Sequence, residues 1–137
     1  MTTAQVQTQA APPKNLLGKI AIVTGGSRGI GAAIAARLAA QGATVFITYA
    51  RSKESAEKVA AAIALAGGIA IAVQANAASA ADNQALVALV AKHGKIDILV
   101  NNAGVFEGGS IEAVSIDQYE RVFDTNVRGV AVTTMAA

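Results

Sequence analysis

The stretch VTGGSRGIGA, residues 23–32, places Gly25, Gly26, Gly29 and Gly31 directly behind an apolar run. Glycine inside a helix or strand costs roughly 0.5–1 kcal/mol relative to alanine. Such a cluster marks a turn where the backbone takes unusual angles or where something must approach it closely. The residues before it, 19–24 (KIAIVT), read as a short apolar strand rich in β-branched side chains. In the residues after it, 30–40, the positions Ile30, Ala33, Ile34, Arg37 and Leu38 recur at helical spacing, and Gly42 ends the run as a C-terminal cap. The glycines therefore occupy the turn between a strand and the start of a helix.

The same alternation continues along the chain. Residues 44–49 (TVFITY) predict a second strand, and Ser52 is placed to cap a helix running to about Ala66, with Glu54 and Lys58 an i,i+4 pair on its outer face. Residues 69–74 predict a third strand. Ser79 and Asp82 resemble a capping box for a helix ending near His93 and Gly94. Residues 96–101 predict a fourth strand, and Ser115 with Gln118 forms a capping box for a last helix reaching the C-terminus. Strand–helix repeated in this way implies an α/β fold, with a parallel sheet, right-handed crossovers and helices on both faces. Ligands in such folds bind beyond the carboxyl ends of the strands, where the strand order reverses. The loops that matter follow Val23, Tyr49, Gln74 and Val100.

The 137 residues suffice for one domain with a sizeable core, and 53% hydrophobic with 15% charged residues describes a globular chain. A net charge of +2 gives no ground for a nucleic-acid or membrane partner. The absence of cysteine excludes a disulfide framework, a thiolate metal site and a cysteine nucleophile, and it suits a cytoplasmic location. No cluster of metal ligands is visible. Residues 1–15 are polar, end near Pro12-Pro13 and lack the apolar core of a signal peptide, so they read as a flexible lead to a single domain at 16–137. The longest apolar run, 59–73, is too short to span a bilayer and is broken by Gly67-Gly68.

A glycine loop at a helix N-terminus favours an anion, because free N–H groups and the positive end of the helix dipole meet there. A dinucleotide diphosphate is the expected ligand. The plain alternative is a tight turn with no ligand. Thr24 to Gly31 resembles the TGxxxGIG motif of the short-chain dehydrogenase/reductases, Asn101-Asn102-Ala103-Gly104 resembles their NNAG motif, and Asn126 in DTNVRG resembles their catalytic asparagine. The likeness runs from about Leu17 to the C-terminus and is nearest in flavour to the 3-oxoacyl-[acyl-carrier-protein] reductase-like branch.

The resemblance implies a Rossmann-type doubly wound sheet with strand order 3-2-1-4 present and the C-terminal part of the family fold absent. It places cofactor contacts on Gly25, Ser27, Arg28, Gly29, Ile30 and Gly31 of the first loop. Tyr49, Arg51 and Ser52 follow the second strand, Ala75 and Asn76 the third, and Asn102, Ala103 and Gly104 the fourth. Sites that prefer NAD carry an acid at the end of the second strand. Here TYARSKE offers none before Arg51 and Ser52, and Arg28 lies near, so NADP(H) is favoured over NAD(H). Asn76 stands where the family commonly has an aspartate that accepts from the adenine amino group.

The family's chemistry is hydride transfer between the nicotinamide and a carbonyl or alcohol substrate. A Tyr and a Lys spaced YxxxK beyond the fifth strand carry it, together with a Ser, and an Asn holds a water in the proton relay. This sequence stops short of that strand, so the expectation is a truncated chain that keeps Asn126 as the relay residue and lacks the other three. Tyr49 and Lys53 match the YxxxK spacing but fall beside the adenosine ribose. Tyr119 has Phe123 in the place of a lysine, and reads instead as part of a core stripe with Val122, Phe123, Val127 and Val130. Asn126 has a local alternative, bonding to backbone. His93 reads as a surface cap and Asp97 as a structural hydrogen-bonder. A fourth strand left at a sheet edge, with an apolar last helix, predicts a homo-oligomer. The rival reading is a non-catalytic dinucleotide-binding or interaction module.

Overall fold

The computed structural model describes residues 13–137. Most of the predicted lead, residues 1–12, lies outside the described residues. In chain order the elements are β1 (Ile20–Val23), α1 (Gly29–Ala40), β2 (Thr44–Tyr49), α2 (Lys53–Leu65), β3 (Ile69–Gln74), α3 (Ala80–Ala91), β4 (Ile96–Val100), α4 (Ile116–Phe123), a π-helical turn (Asp124–Arg128) and α5 (Gly129–Ala136). The four strands form one parallel sheet in the order β3-β2-β1-β4. This is the Rossmann-type topology expected from the sequence.

Strand alternation divides the core in two. Ala21, Val23, Val45 and Ile47 pack under α1 and α2 with Ala35, Ala39, Ala56 and Ile63. Ile22 and Phe46 point the other way, onto Leu86, Val87 and Val90 of α3. The residues Ala21 to Val23 and Val45 to Ile47 have no exposed surface, so the middle of the sheet is wholly apolar and closed. Each large side chain buried this way contributes about 1.5–3 kcal/mol.

The register between β1 and β4 slips by one residue. Ile20 faces Ile96, but Ala21 faces Ile98, which leaves Asp97 as the extra residue. Its carboxylate accepts from the Ile20 N–H at 3.0 Å and from the Lys19 ammonium at 3.2 Å. Asp97 is thus the structural hydrogen-bonder expected of it. His93 lies just past α3 with its ring against Phe46, centroids 5.0 Å apart.

Three expectations need correction. Ser52 precedes α2 but makes no side-chain cap bond; its ψ of 67° departs from the extended geometry of the two serines that do cap. Ser79 (ψ 115°) accepts from Asp82 N–H and Ser115 (ψ 158°) from Gln118 N–H. The last helix is not uniform, because the π turn interrupts it between α4 and α5. The apolar stripe on it is not a buried core: Tyr119 is 52%, Phe123 45% and Val127 49% exposed, because nothing among the described residues packs over that face. The Tyr119 and Phe123 rings stack on each other instead, 4.6 Å apart.

Candidate functional site

A cleft of about 470 Å³ opens at the carboxyl ends of the strands. It lies where the order reverses, since the chain builds outward from β1 through β2 to β3 and then returns to place β4 on the other side of β1. The glycine loop forms its floor. Thr48, Tyr49 and Ala50 of the β2 end, with Ala75, Asn76 and Ala77 after β3, form one wall. The opposite wall comes from the loop after β4, residues 102–105, and from Thr125 on the π turn.

The glycines serve different ends. Gly25 and Gly29 take positive φ, +65° and +54°, which side chains disfavour. A Cβ on Gly26 would lie 2.7 Å from Ile47, and one on Gly31 would strike the Gly25 carbonyl and sit 2.5 Å from Asn102 Nδ2. These two glycines let the loop fold tightly on its neighbours. Of the four loop glycines, Gly29 alone combines a left-handed backbone with open space around it. The sequence reading assigned Gly25, Gly29 and Gly31 to the cofactor, and here Gly31 is also held small by its neighbours. No side chain caps α1, and its first-turn N–H groups have no acceptor within the helix. Gly29, Ile30 and Gly31 border the cleft there, beside Ser27 and the exposed Arg28.

Hydrogen bonds lock the two loops together. Thr24 is buried, and its hydroxyl accepts from the N–H groups of Asn102 (3.1 Å) and Ala103 (3.0 Å). Asn102 Nδ2 donates back to the carbonyls of Thr24 (3.0 Å) and Gly25 (3.1 Å). The Asn102 amide therefore braces the cleft floor. Asn126 does the same for the wall: its Oδ1 accepts from Val105 N–H at 2.8 Å and its Nδ2 donates to Val105 C=O at 2.7 Å. The sequence left open a bond to nearby backbone; the partner here is Val105, 21 residues away along the chain. Further along the same loop, Arg121 makes two 2.8 Å bonds to the Glu107 carboxylate, and that contact holds the Glu107 carboxyl below the usual glutamate range.

Most of the residues predicted for the site come together in this cleft. Arg51, Ser52 and Asn126 do not border it. Asn76 does, with its Oδ1 already accepting from Ala78 N–H at 3.0 Å, so one lone pair remains for a ligand. Tyr49 is only 9% exposed, belongs to the core beneath α1 and α2, and reaches the cleft at the β2 end. Lys53 pairs with Glu57 at 3.6 Å. Tyr119 does not border the cleft. Sequence reasoning missed Thr48, Ala50, Ala77, Val105 and Thr125, of which the two threonines bring polar side chains. A threonine directly behind the apolar run Val45–Ile47 was the available signal for Thr48. Thr125 had none, because the π turn brings it to the cleft.

The sequence signature described as short chain dehydrogenase matches residues 19–137. An uncharacterized oxidoreductase of Methylorubrum extorquens is 53% identical over 123 residues, 89% of this chain and 50% of that protein. A solved short chain dehydrogenase from Burkholderia cenocepacia, in complex with NADP, superimposes with a TM-score of 0.86 at 51% identity, covering 89% of this chain and 50% of that one. A blue fluorescent protein from a metagenomic library, in complex with NADPH, gives a TM-score of 0.85 at 45% identity over 90% of this chain and 51% of its own. The chain spans about half the length of the proteins it matches here.

Proposed function

This chain belongs to the short-chain dehydrogenase family, and on that premise we propose that its cleft binds NADP(H) as the dinucleotide half of an oxidoreductase acting on a carbonyl or alcohol substrate. The observation that carries this reading is the lining of the cleft: one guanidinium, Arg28, and no carboxylate among the described residues. A 2′-phosphate needs a cation and is repelled by the acid that selects NAD. The shape fits as well. The open, left-handed Gly29 and the uncapped α1 N-terminus suit a diphosphate. Ala50, Ala75 and Asn76 leave room for adenosine, and Gly104, Val105 and Thr125 border the far end. Arg51 and Ser52, just outside the cleft at the end of β2, are close enough in sequence to add to the phosphate contact. When bound, the nicotinamide supplies hydride exchange with the substrate carbon.

The residues of this chain bind and orient. Asn102 braces the floor and Asn126 the wall. A proton relay through Asn126 needs partners that these residues do not set beside it, since Tyr49 lies at the β2 end and Tyr119 stacks on Phe123. That placement also favours a second reading, in which these 137 residues alone bind the dinucleotide without turnover.

Titration followed by cofactor fluorescence tests the main reading. NADPH is expected to bind at least about tenfold more tightly than NADH, a difference of about 1.4 kcal/mol. Arg28→Ala should narrow that preference and Arg51→Asp should reverse it. Equal affinities in the parent chain would overturn the assignment.

A further inference from the structure

We infer that Thr48 is a positioning residue for dinucleotide binding, gripping the glycine loop from β2 and so setting where the first turn of α1 presents its N–H groups. This rests on the cofactor reading above. Thr48 is 2% exposed and next to last in β2. Its hydroxyl accepts from the Gly25 N–H at 3.0 Å, and its main-chain carbonyl accepts from the Gly26 N–H at 3.1 Å. One residue thus takes two successive amides of the loop.

Those bonds matter because of what Gly25 touches next. On its other side, the Gly25 carbonyl accepts from Asn102 Nδ2 at 3.1 Å. The same carbonyl lies where a Cβ on Gly31 would be, so it abuts the first turn of α1 directly. Gly25 is therefore held by its N–H from β2 and by its C=O from the loop after β4. Glycine at positive φ has more backbone freedom to lose than any other residue. Without the Thr48 bond, its peptide plane can turn, and the turn is passed through the Gly25–Gly31 contact to the amides that face the cleft. A β-branched residue suits the strand, but the hydroxyl answers a need of the loop.

The test compares Thr48→Ser with Thr48→Cys in the full chain. The two side chains differ chiefly in that one offers an oxygen acceptor and the other a weak sulfur one. Thr48→Ser is expected to bind NADPH as the parent does, whereas Thr48→Cys should bind it about tenfold more weakly. Adenosine carries neither the diphosphate nor the 2′-phosphate that would meet the loop, and both variants should bind it like the parent. Hydrogen exchange without ligand should show the Gly25 amide losing protection in Thr48→Cys and keeping it in Thr48→Ser. Equal NADPH affinity and equal Gly25 protection in the two variants would overturn the inference. So would a parallel loss of NADPH and adenosine binding, which marks a general packing defect. A parent chain that binds no NADPH would defeat the cofactor reading, and with it the role of Thr48 in binding. The exchange comparison would then still decide whether Thr48 grips the loop. Thr48→Val, which keeps the shape without any acceptor, repeats the test if Thr48→Cys does not fold.

Discussion

Asp97 stands in for strand geometry that the bulge removes. The extra residue in β4 takes a carbonyl out of register with β1, and the Asp97 carboxylate accepts from the Ile20 N–H in its place. That bond, and then the Lys19 contact, holds the Asp97 carboxyl below the usual aspartate range. A carboxyl with a depressed folded pKa adds stability above its unfolded value, and loses it as pH falls through the lower folded value. Asp97→Asn keeps an oxygen for Ile20 but gives up the charge. The parent is therefore expected to be the more stable of the two near neutral pH, with the difference vanishing on acidification. Urea unfolding across the carboxylate range checks this, and curves that stay parallel would disprove it.

At the scale of elements, three serines stand before helices and only two cap them. Ser79 receives the Asp82 N–H, and the Asp82 carboxylate returns a contact to the Ser79 hydroxyl at 3.1 Å and to the Asn76 N–H at 2.9 Å. Aspartate is a methylene shorter than the glutamate of a full capping box, and here it bonds the hydroxyl and the preceding turn. Ser79→Ala is expected to cost about 1 kcal/mol. Ser52→Ala should fall within about 0.5 kcal/mol of the parent, as surface substitutions do. Chemical denaturation of both variants decides the matter, and equal costs would contradict the cap assignment. The π turn is the other feature of this scale. It holds Thr125 at the cleft while Asn126 pairs with Val105, in keeping with the frequent place of such turns at functional sites.

At the scale of the molecule, two surfaces stand open among the described residues. β4 pairs with β1 alone. The exposed faces of Tyr119, Phe123 and Val127 lie on one helical run with Ile116, itself 72% exposed. An unpaired strand edge and a clustered apolar face both recruit partners. The chain by itself is expected to associate in solution, and Phe123→Lys should weaken that association. Light scattering coupled to size exclusion measures it. A sharp monomer peak with a cooperative thermal transition would refute the expectation.

The strands at 44–49 and 69–74, the helix that begins behind the glycine loop and the caps at Ser79 and Ser115 were all legible in the sequence. Each depends on contacts within a few residues, where periodicity and turn chemistry act directly. The parallel sheet followed from the alternation of those elements. What required the tertiary structure was every feature that depends on residues far apart in the chain. Gly26 is small because Ile47 lies against it, and Gly31 because the Gly25 carbonyl and Asn102 do. Thr48 matters because it meets Gly25 across the β1–β2 pair. Asn126 faces backbone because Val105 comes within reach of its π turn. Tyr119 looked like core because its spacing is apolar and helical, but spacing names a face without saying what covers it. Local periodicity determined the elements of this protein, and long-range packing decided which side chains hold its cleft in shape.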